Sequence, residues 1–138
     1  MNLPPVPAPD AVTAGWWEAT REHRLTVQRC TACSRPQHPP RSICIHCGRT
    51  DALRLDDAAG TGVVDSFTVV HRAPFPDLEV PYVIARVRLD EGVICLTRLT
   101  NADPDSWRIG DRVRVDWIDL PDGRALPVFV PAPAEPPR

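Results

Sequence analysis

Two Cys-x-x-Cys knuckles, Cys30-Thr31-Ala32-Cys33 and Cys44-Ile45-His46-Cys47, stand ten residues apart. Two residues between cysteines let both sulfurs of a knuckle turn toward one point. Two knuckles then supply the four thiolates that a tetrahedral Zn²⁺ ion prefers, so Cys30, Cys33, Cys44 and Cys47 read as ligands of a single ion. Four protein thiolates fill the coordination sphere and leave no position for water or substrate, which makes the ion structural and not catalytic. The same ligands suit iron in a rubredoxin-like electron carrier, and spacing alone leaves iron open. His38 and His46 lie close by but are not needed, because four cysteines complete the set. Gly48 follows the second knuckle and suits a tight turn. Ser34 takes its place in the first, where the turn is expected to be less strained or held by the serine hydroxyl.

Other candidate chemistry is sparse. Cys95 sits in the apolar run Val93-Ile94-Cys95-Leu96 with no recognisable base beside it, and reads as a small buried hydrophobe. His71 is the one histidine after residue 57, and general acid–base work needs a positioned cluster of titratable groups. No catalytic residue is assigned. Gly60-Thr61-Gly62 resembles a phosphate loop only superficially: no helix pattern follows it, and a barrel corner explains it better.

The elements that must position these residues are mainly β. Thr13 can cap a short helix to about residue 23, and its adjacent Trp16 and Trp17 cannot share one face. One is expected to pack on the chain's own core and the other to reach a neighbouring surface, a candidate partner contact. A strand over 25–29 enters the first knuckle, and Pro36, Pro39 and Pro40 stiffen the loop to the second. After Asp56-Asp57 the pattern turns to period two, giving strands at 63–70, 82–89, 93–99, 113–117 and 126–130. Asp90-Glu91-Gly92 makes a hairpin of the second and third. A non-strand link with one helical turn from Asp103 separates the third from the fourth. Five short strands so connected predict an OB-fold, a small Greek-key barrel. The expected organisation is a helix and zinc ribbon over 13–56, a barrel over 57–131, and proline-rich tails at 1–12 and 132–138.

The basic residues are all arginine. Arg21, Arg24, Arg29, Arg35, Arg41, Arg49 and Arg54 face only Glu22 and Asp51 across residues 21–54, so the ribbon is the positive half of a mildly acidic chain. A single-strand nucleic-acid groove needs a positive barrel face with stacking rings. Here the barrel half is acidic, and Phe67, Tyr82, Trp117 and Phe129 are few enough to be core, so the nucleic-acid alternative ranks low. No apolar run is long enough to span a bilayer and the N-terminus lacks signal-peptide character, which predicts a cytoplasmic protein without a membrane partner.

In order and spacing, Trp-Trp-Glu-Ala, the paired knuckles with Pro39-Pro40-Arg41, Gly-Thr-Gly-Val-Val leading to His71-Arg72-Ala73-Pro74, Pro81-Tyr82-Val83, Leu89-Asp90-Glu91-Gly92 and the closing Pro127-Val128-Phe129-Val130-Pro131 resemble one family over residues 14–131. That family pairs a rubredoxin-like zinc ribbon with an OB-fold and accompanies acyl-CoA enzymes. Ser34, where the first knuckle often has Gly, is a departure that removes no ligand. The resemblance implies a non-catalytic subunit whose partner is a lipid-transfer-protein-like thiolase homologue, cleaving a carbon–carbon bond of a steroid side-chain CoA thioester by retro-aldol chemistry. As alternatives it admits a subunit of a thiolase or acyltransferase complex, or attachment to a hot-dog-fold hydratase. In such a setting Arg35, Arg41 and Arg72 are candidate contacts to a CoA phosphate, which guanidinium groups bind bidentately, and His71 beside them is a candidate substrate contact.

Overall fold

The computed structural model describes residues 5–133, so the expected tails fall partly outside the described residues. Helix α1 (Ala14–Thr20) precedes strands β1 (Thr26–Cys30), β2 (Pro36–Gln37) and β3 (Leu53–Asp57), which form a three-stranded antiparallel sheet in the order β2-β1-β3. Strands β4 (Thr61–Val70), β5 (Tyr82–Leu89), β6 (Ile94–Leu99), β7 (Arg112–Asp119) and β8 (Ala125–Pro131) follow. They close a barrel in the order β4-β5-β6-β8-β7, with β7 returning to β4. This is the five-stranded barrel of an OB-fold.

Alternation builds the barrel. Along β5, Val83, Ala85, Val87 and Leu89 are buried while Arg86 and Arg88 face outward. Gly62 marks the corner where β4 passes β5: a Cβ there would lie 2.3 Å from the Arg88 carbonyl oxygen, so only glycine allows the approach. A single 3-10 turn, Pro104–Ser106, links β6 to β7, with the Asp103 carboxylate accepting from the Asp105 N–H at 2.8 Å. Just after it, Trp107 is buried within the core.

The helix differs from expectation at both ends. Thr13 does not cap it with its side chain. Asp10 instead closes the turn that leads into it: its Oδ1 accepts from the N–H groups of Val12 and Thr13, and Thr13 Oγ1 accepts from the Asp10 N–H. The helix stops at Thr20, and His23, at φ 55°, turns the chain out while the Arg24 N–H returns to the Ala19 carbonyl. The ribbon also holds two strands, β2 and β3, beyond the one expected.

Ribbon and barrel share one core, since Leu25 and Val27 belong to the same buried cluster as Val64, Val87 and Phe129. Helix α1 is fastened to the β7–β8 hairpin. The buried Thr20 hydroxyl donates to the Trp17 carbonyl at 2.6 Å and accepts from the Ala125 N–H at 3.1 Å. The Arg124 guanidinium lies 4.5 Å above the Trp17 ring and donates to the Pro7 carbonyl at 2.7 Å, laying residues just before the helix along the body.

Candidate metal centre

The two knuckles are congruent. The Cys30 carbonyl accepts from Ser34 N–H and the Cys30 N–H donates to the Arg35 carbonyl; Cys44 does the same with Gly48 and Arg49. Each knuckle thereby turns its two thiols to one side. The four sulfurs lie within 4.8 Å of one another, with Cys30 to Cys47 at 3.7 Å and Cys33 to Cys44 at 3.6 Å. Sulfurs each about 2.3 Å from one tetrahedral ion stand about 3.8 Å apart, so the cluster fits a single Zn²⁺ or iron ion and is far too open for a disulfide. His38 and His46 stay outside the four-sulfur cluster, and His46 Nε2 lies 3.2 Å from the Pro36 carbonyl.

Backbone N–H groups favour the thiolate at Cys30, Cys44 and Cys47. The Cys33 backbone N–H, followed by that of Ala32, holds the Cys30 thiol below its ordinary value. Burial pushes Cys44 up, but the N–H groups of Cys47 and His46 together with the neighbouring thiols outweigh it and bring that thiol to about 6. Cys47 goes the other way: the Arg49 N–H favours its thiolate, yet burial and the adjacent sulfurs push it up to about 11. A bound cation removes this mutual repulsion, which is why metal binding and thiol ionisation are linked.

Ser34 corrects the expectation for the first turn. At φ 66° it adopts the left-handed backbone that Gly48 adopts at φ 80°, so its turn is no less strained. The Arg29 guanidinium, donating to the Ser34 carbonyl at 2.6 Å, holds it in place.

The remaining candidates do not gather at the metal. Arg35 and Arg41 are exposed in the ribbon loops, and His71 and Arg72 are exposed at the head of the loop between β4 and β5. Trp17 is buried, 8% exposed, while Trp16 is half-buried, packed on the core and meeting the Trp17 ring edge-on at 4.8 Å. Trp16 is therefore the outward member of the pair. The Cys95 thiol is pushed up to about 11 by burial, so it is protonated near neutrality. Sequence reasoning missed Gln28 and Gln37, two buried glutamines whose amides bind the backbone at Arg41, Ile43 and Ile45 and hold the second knuckle against β1 and β2. Their signal, polar residues at inward strand positions, becomes visible only once the ribbon's sheet is drawn.

A four-cysteine rubredoxin-like ribbon sharing its core with an OB-fold defines the class of this protein. Family models agree in order: the ChsH2 rubredoxin-like zinc ribbon domain matches residues 17–54 and the ChsH2 C-terminal OB-fold domain matches residues 56–117. The chain belongs to the ChsH2 (DUF35) family. A solved chain of the Ltp2-ChsH2(DUF35) aldolase superposes with a TM-score of 0.83 at 44% identity, covering 91% of this chain and 98% of that one. A probable enoyl-CoA hydratase alpha subunit of Thermomonospora curvata is 45% identical over 94% of this chain. The 3-oxo-4,17-pregnadiene-20-carboxyl-CoA hydratase alpha subunit of Mycobacterium tuberculosis is 37% identical over 84% of it. The chain spans only 40% and 37% of the length of these two relatives. Among the described residues, no helix is long and apolar enough to cross a membrane.

Proposed function

We propose that this chain is a non-catalytic accessory subunit of a thiolase-like enzyme acting on a CoA thioester, specifically a retro-aldolase of steroid side-chain degradation. The observation that carries the reading is the likeness to a chain of the Ltp2-ChsH2(DUF35) aldolase over 98% of that chain's length. The steroid assignment draws support from the name of the mycobacterial relative. The ion of the ribbon is zinc, and its role is to staple residues 26–57, which bury little apolar surface of their own, into a rigid sheet. Catalytic groups come from the partner, because four thiolates leave the ion no open position and the Cys95 thiol is protonated. Arg35, Arg41, His71 and Arg72 serve, in this reading, as contacts to CoA shared with the partner. Exposed guanidinium groups are suited to that task, since they keep their hydrogen-bonding forks available.

The two hydratase alpha subunits favour a second reading, in which the same module serves a hydratase as part of a larger subunit. Metal analysis and light scattering on a chromatographic column decide between outcomes. The account expects about one equivalent of zinc and a stable complex when the purified chain is mixed with the Ltp2 subunit of the solved aldolase. Iron in place of zinc, or a chain that elutes apart from Ltp2, contradicts it.

A further inference from the structure

The four cysteines of the ribbon are not equally accessible. Cys30 and Cys44 are buried and Cys33 is half-buried, while Cys47 is the exposed member of the set. Once an ion is bound all four are thiolates, because a coordinating thiol is deprotonated outright, so access and not ionisation decides which of them a reagent meets first. The fifth cysteine is the opposite case: Cys95 lies within the buried core, and its thiol is protonated near neutrality.

The two knuckles are also fastened differently. The first grows out of β1, whose Val27 lies in the shared core, and its Thr31 N–H donates to the Ala52 carbonyl at 2.7 Å. The second is braced by the Gln28 and Gln37 amides only as far as Ile45. Past that point the bonds are local: Gly48 N–H to the Cys44 carbonyl, Cys44 N–H to the Arg49 carbonyl, and the ion pair of Arg49 with Asp51. Among the described residues, the tip over 46–50 reaches the rest of the ribbon by hydrogen bonding through His46 Nε2, 3.2 Å from the Pro36 carbonyl, and through the Cys47 sulfur. That sulfur faces Cys30 Sγ across the two knuckles at 3.7 Å. An accessible thiolate beside a second thiol that can resolve it is the arrangement of a redox-sensitive cysteine.

We propose that Cys47 is an oxidative modification site, where a peroxide converts the ribbon to a metal-free form closed by a Cys30–Cys47 disulfide. The inference rests on the zinc reading above. The Cys47 thiolate attacks one peroxide oxygen; the O–O bond breaks, an S–O bond forms, and hydroxide leaves and takes a proton from solvent. The Cys30 thiolate then attacks the sulfenic sulfur; the S–O bond breaks, the S–S bond forms, and the second hydroxide leaves. Two thiolates are oxidised by two electrons and the peroxide is reduced to two waters. The sulfurs must close from 3.7 Å to about 2.0 Å, a movement the locally bonded tip can supply. Only Cys33 and Cys44 then remain for the ion, too few to hold it. The glutamine brace and the pairing of β1 with β3 use no metal, so the rest of the ribbon keeps its place and reduction lets the site refill.

The test treats the zinc-loaded chain with graded hydrogen peroxide and follows released zinc with a chromophoric chelator. In one arm a sulfenic-acid trap is present; in the other, disulfides are mapped by mass spectrometry. The trap is expected on Cys47 at least about 5-fold more than on any other cysteine. Without it, zinc release should track formation of the Cys30–Cys47 disulfide, Cys95 should stay reduced, and dithiothreitol with added zinc should restore the metal. Cys95→Ser should release zinc as the parent does. Trapping chiefly at Cys30, Cys33 or Cys44 overturns the proposal, and so does a disulfide within one knuckle. Zinc retained at a peroxide dose that oxidises Cys95, or a loss that reduction does not reverse, overturns it too, and each of these results leaves the zinc reading intact. If the parent carries no zinc before treatment, that reading falls and this inference with it.

Discussion

Within the ribbon, Gln37 Nε2 donates to Gln28 Oε1 at 2.6 Å, joining two glutamines that are 3% and 7% exposed. The same Gln37 amide donates to the Ile43 carbonyl at 3.1 Å, and its Oε1 accepts from the Ile45 N–H at 2.9 Å. Gln28 in turn exchanges two bonds with the backbone of Arg41, at 2.9 Å each. The pair thus does for the loop 41–45 what a further strand would do: it satisfies part-buried backbone groups and fixes Cys44 relative to Cys30.

Replacing Gln37 by Ala should therefore take the partner from a part-buried N–H and a part-buried carbonyl, costing about 1–2 kcal/mol. The check is a thermal melt of metal-loaded protein together with the rate of metal loss to a chelator. The variant is expected to melt lower and lose metal faster, and Gln37→Glu, which sets a buried carboxylate against the Gln28 Oε1 and the Ile43 carbonyl, is expected to do no better.

Ser34 bears a left-handed backbone that costs a non-glycine residue about 1–2 kcal/mol, against about 0.5–1 kcal/mol that glycine loses in chain entropy. The first term is larger. Ser34→Gly is expected to raise stability by about 0.5 kcal/mol, read as a small upward shift of the denaturation midpoint, with metal content unchanged.

Asp90 links the β5–β6 turn to two other strands: Arg112 donates to it at 3.1 Å, and the Thr61 hydroxyl donates to its other oxygen. Those bonds, Arg112 first, hold its carboxyl below the usual aspartate value of 3.8. Because the folded value is the lower one, the stabilisation is present above the unfolded pKa and is lost as pH falls through the folded pKa. Asp90 is 44% exposed, so solvent screening keeps the contribution to about 0.5–1 kcal/mol. Asp90→Asn should be less stable than the parent by that amount at pH 7, and the difference should close in acid below the aspartate range.

The barrel was legible in the sequence because much of its physics is local: β5 and β6 alternate buried with more exposed residues, and Gly62, Gly92 and the link before Trp107 punctuate the strands. The gathering of Cys30, Cys33, Cys44 and Cys47 into one cluster was legible for the same reason, their spacing carrying the geometry. What stayed hidden depends on distant partners. Strand β3 has only Leu53 and Leu55 between charged residues, and it becomes a strand because β1 pairs along its whole length. Thr13 stands at the start of α1 without a side-chain cap bond, because its own N–H and that of Val12 are taken by the Asp10 carboxylate in the turn before it. The glutamine brace and the helix-to-barrel bond from Thr20 to Ala125, 105 residues on, have no short-range signature.

The central claim is that this chain completes an enzyme without being one. The most direct measurement is steady-state cleavage of a steroid side-chain CoA thioester by the metal-loaded chain alone, by the Ltp2 subunit alone, and by the two together. The account predicts no turnover by the chain alone and a large gain when it is added to the partner. Turnover by the isolated chain, or a partner whose rate is the same with and without it, would contradict the account.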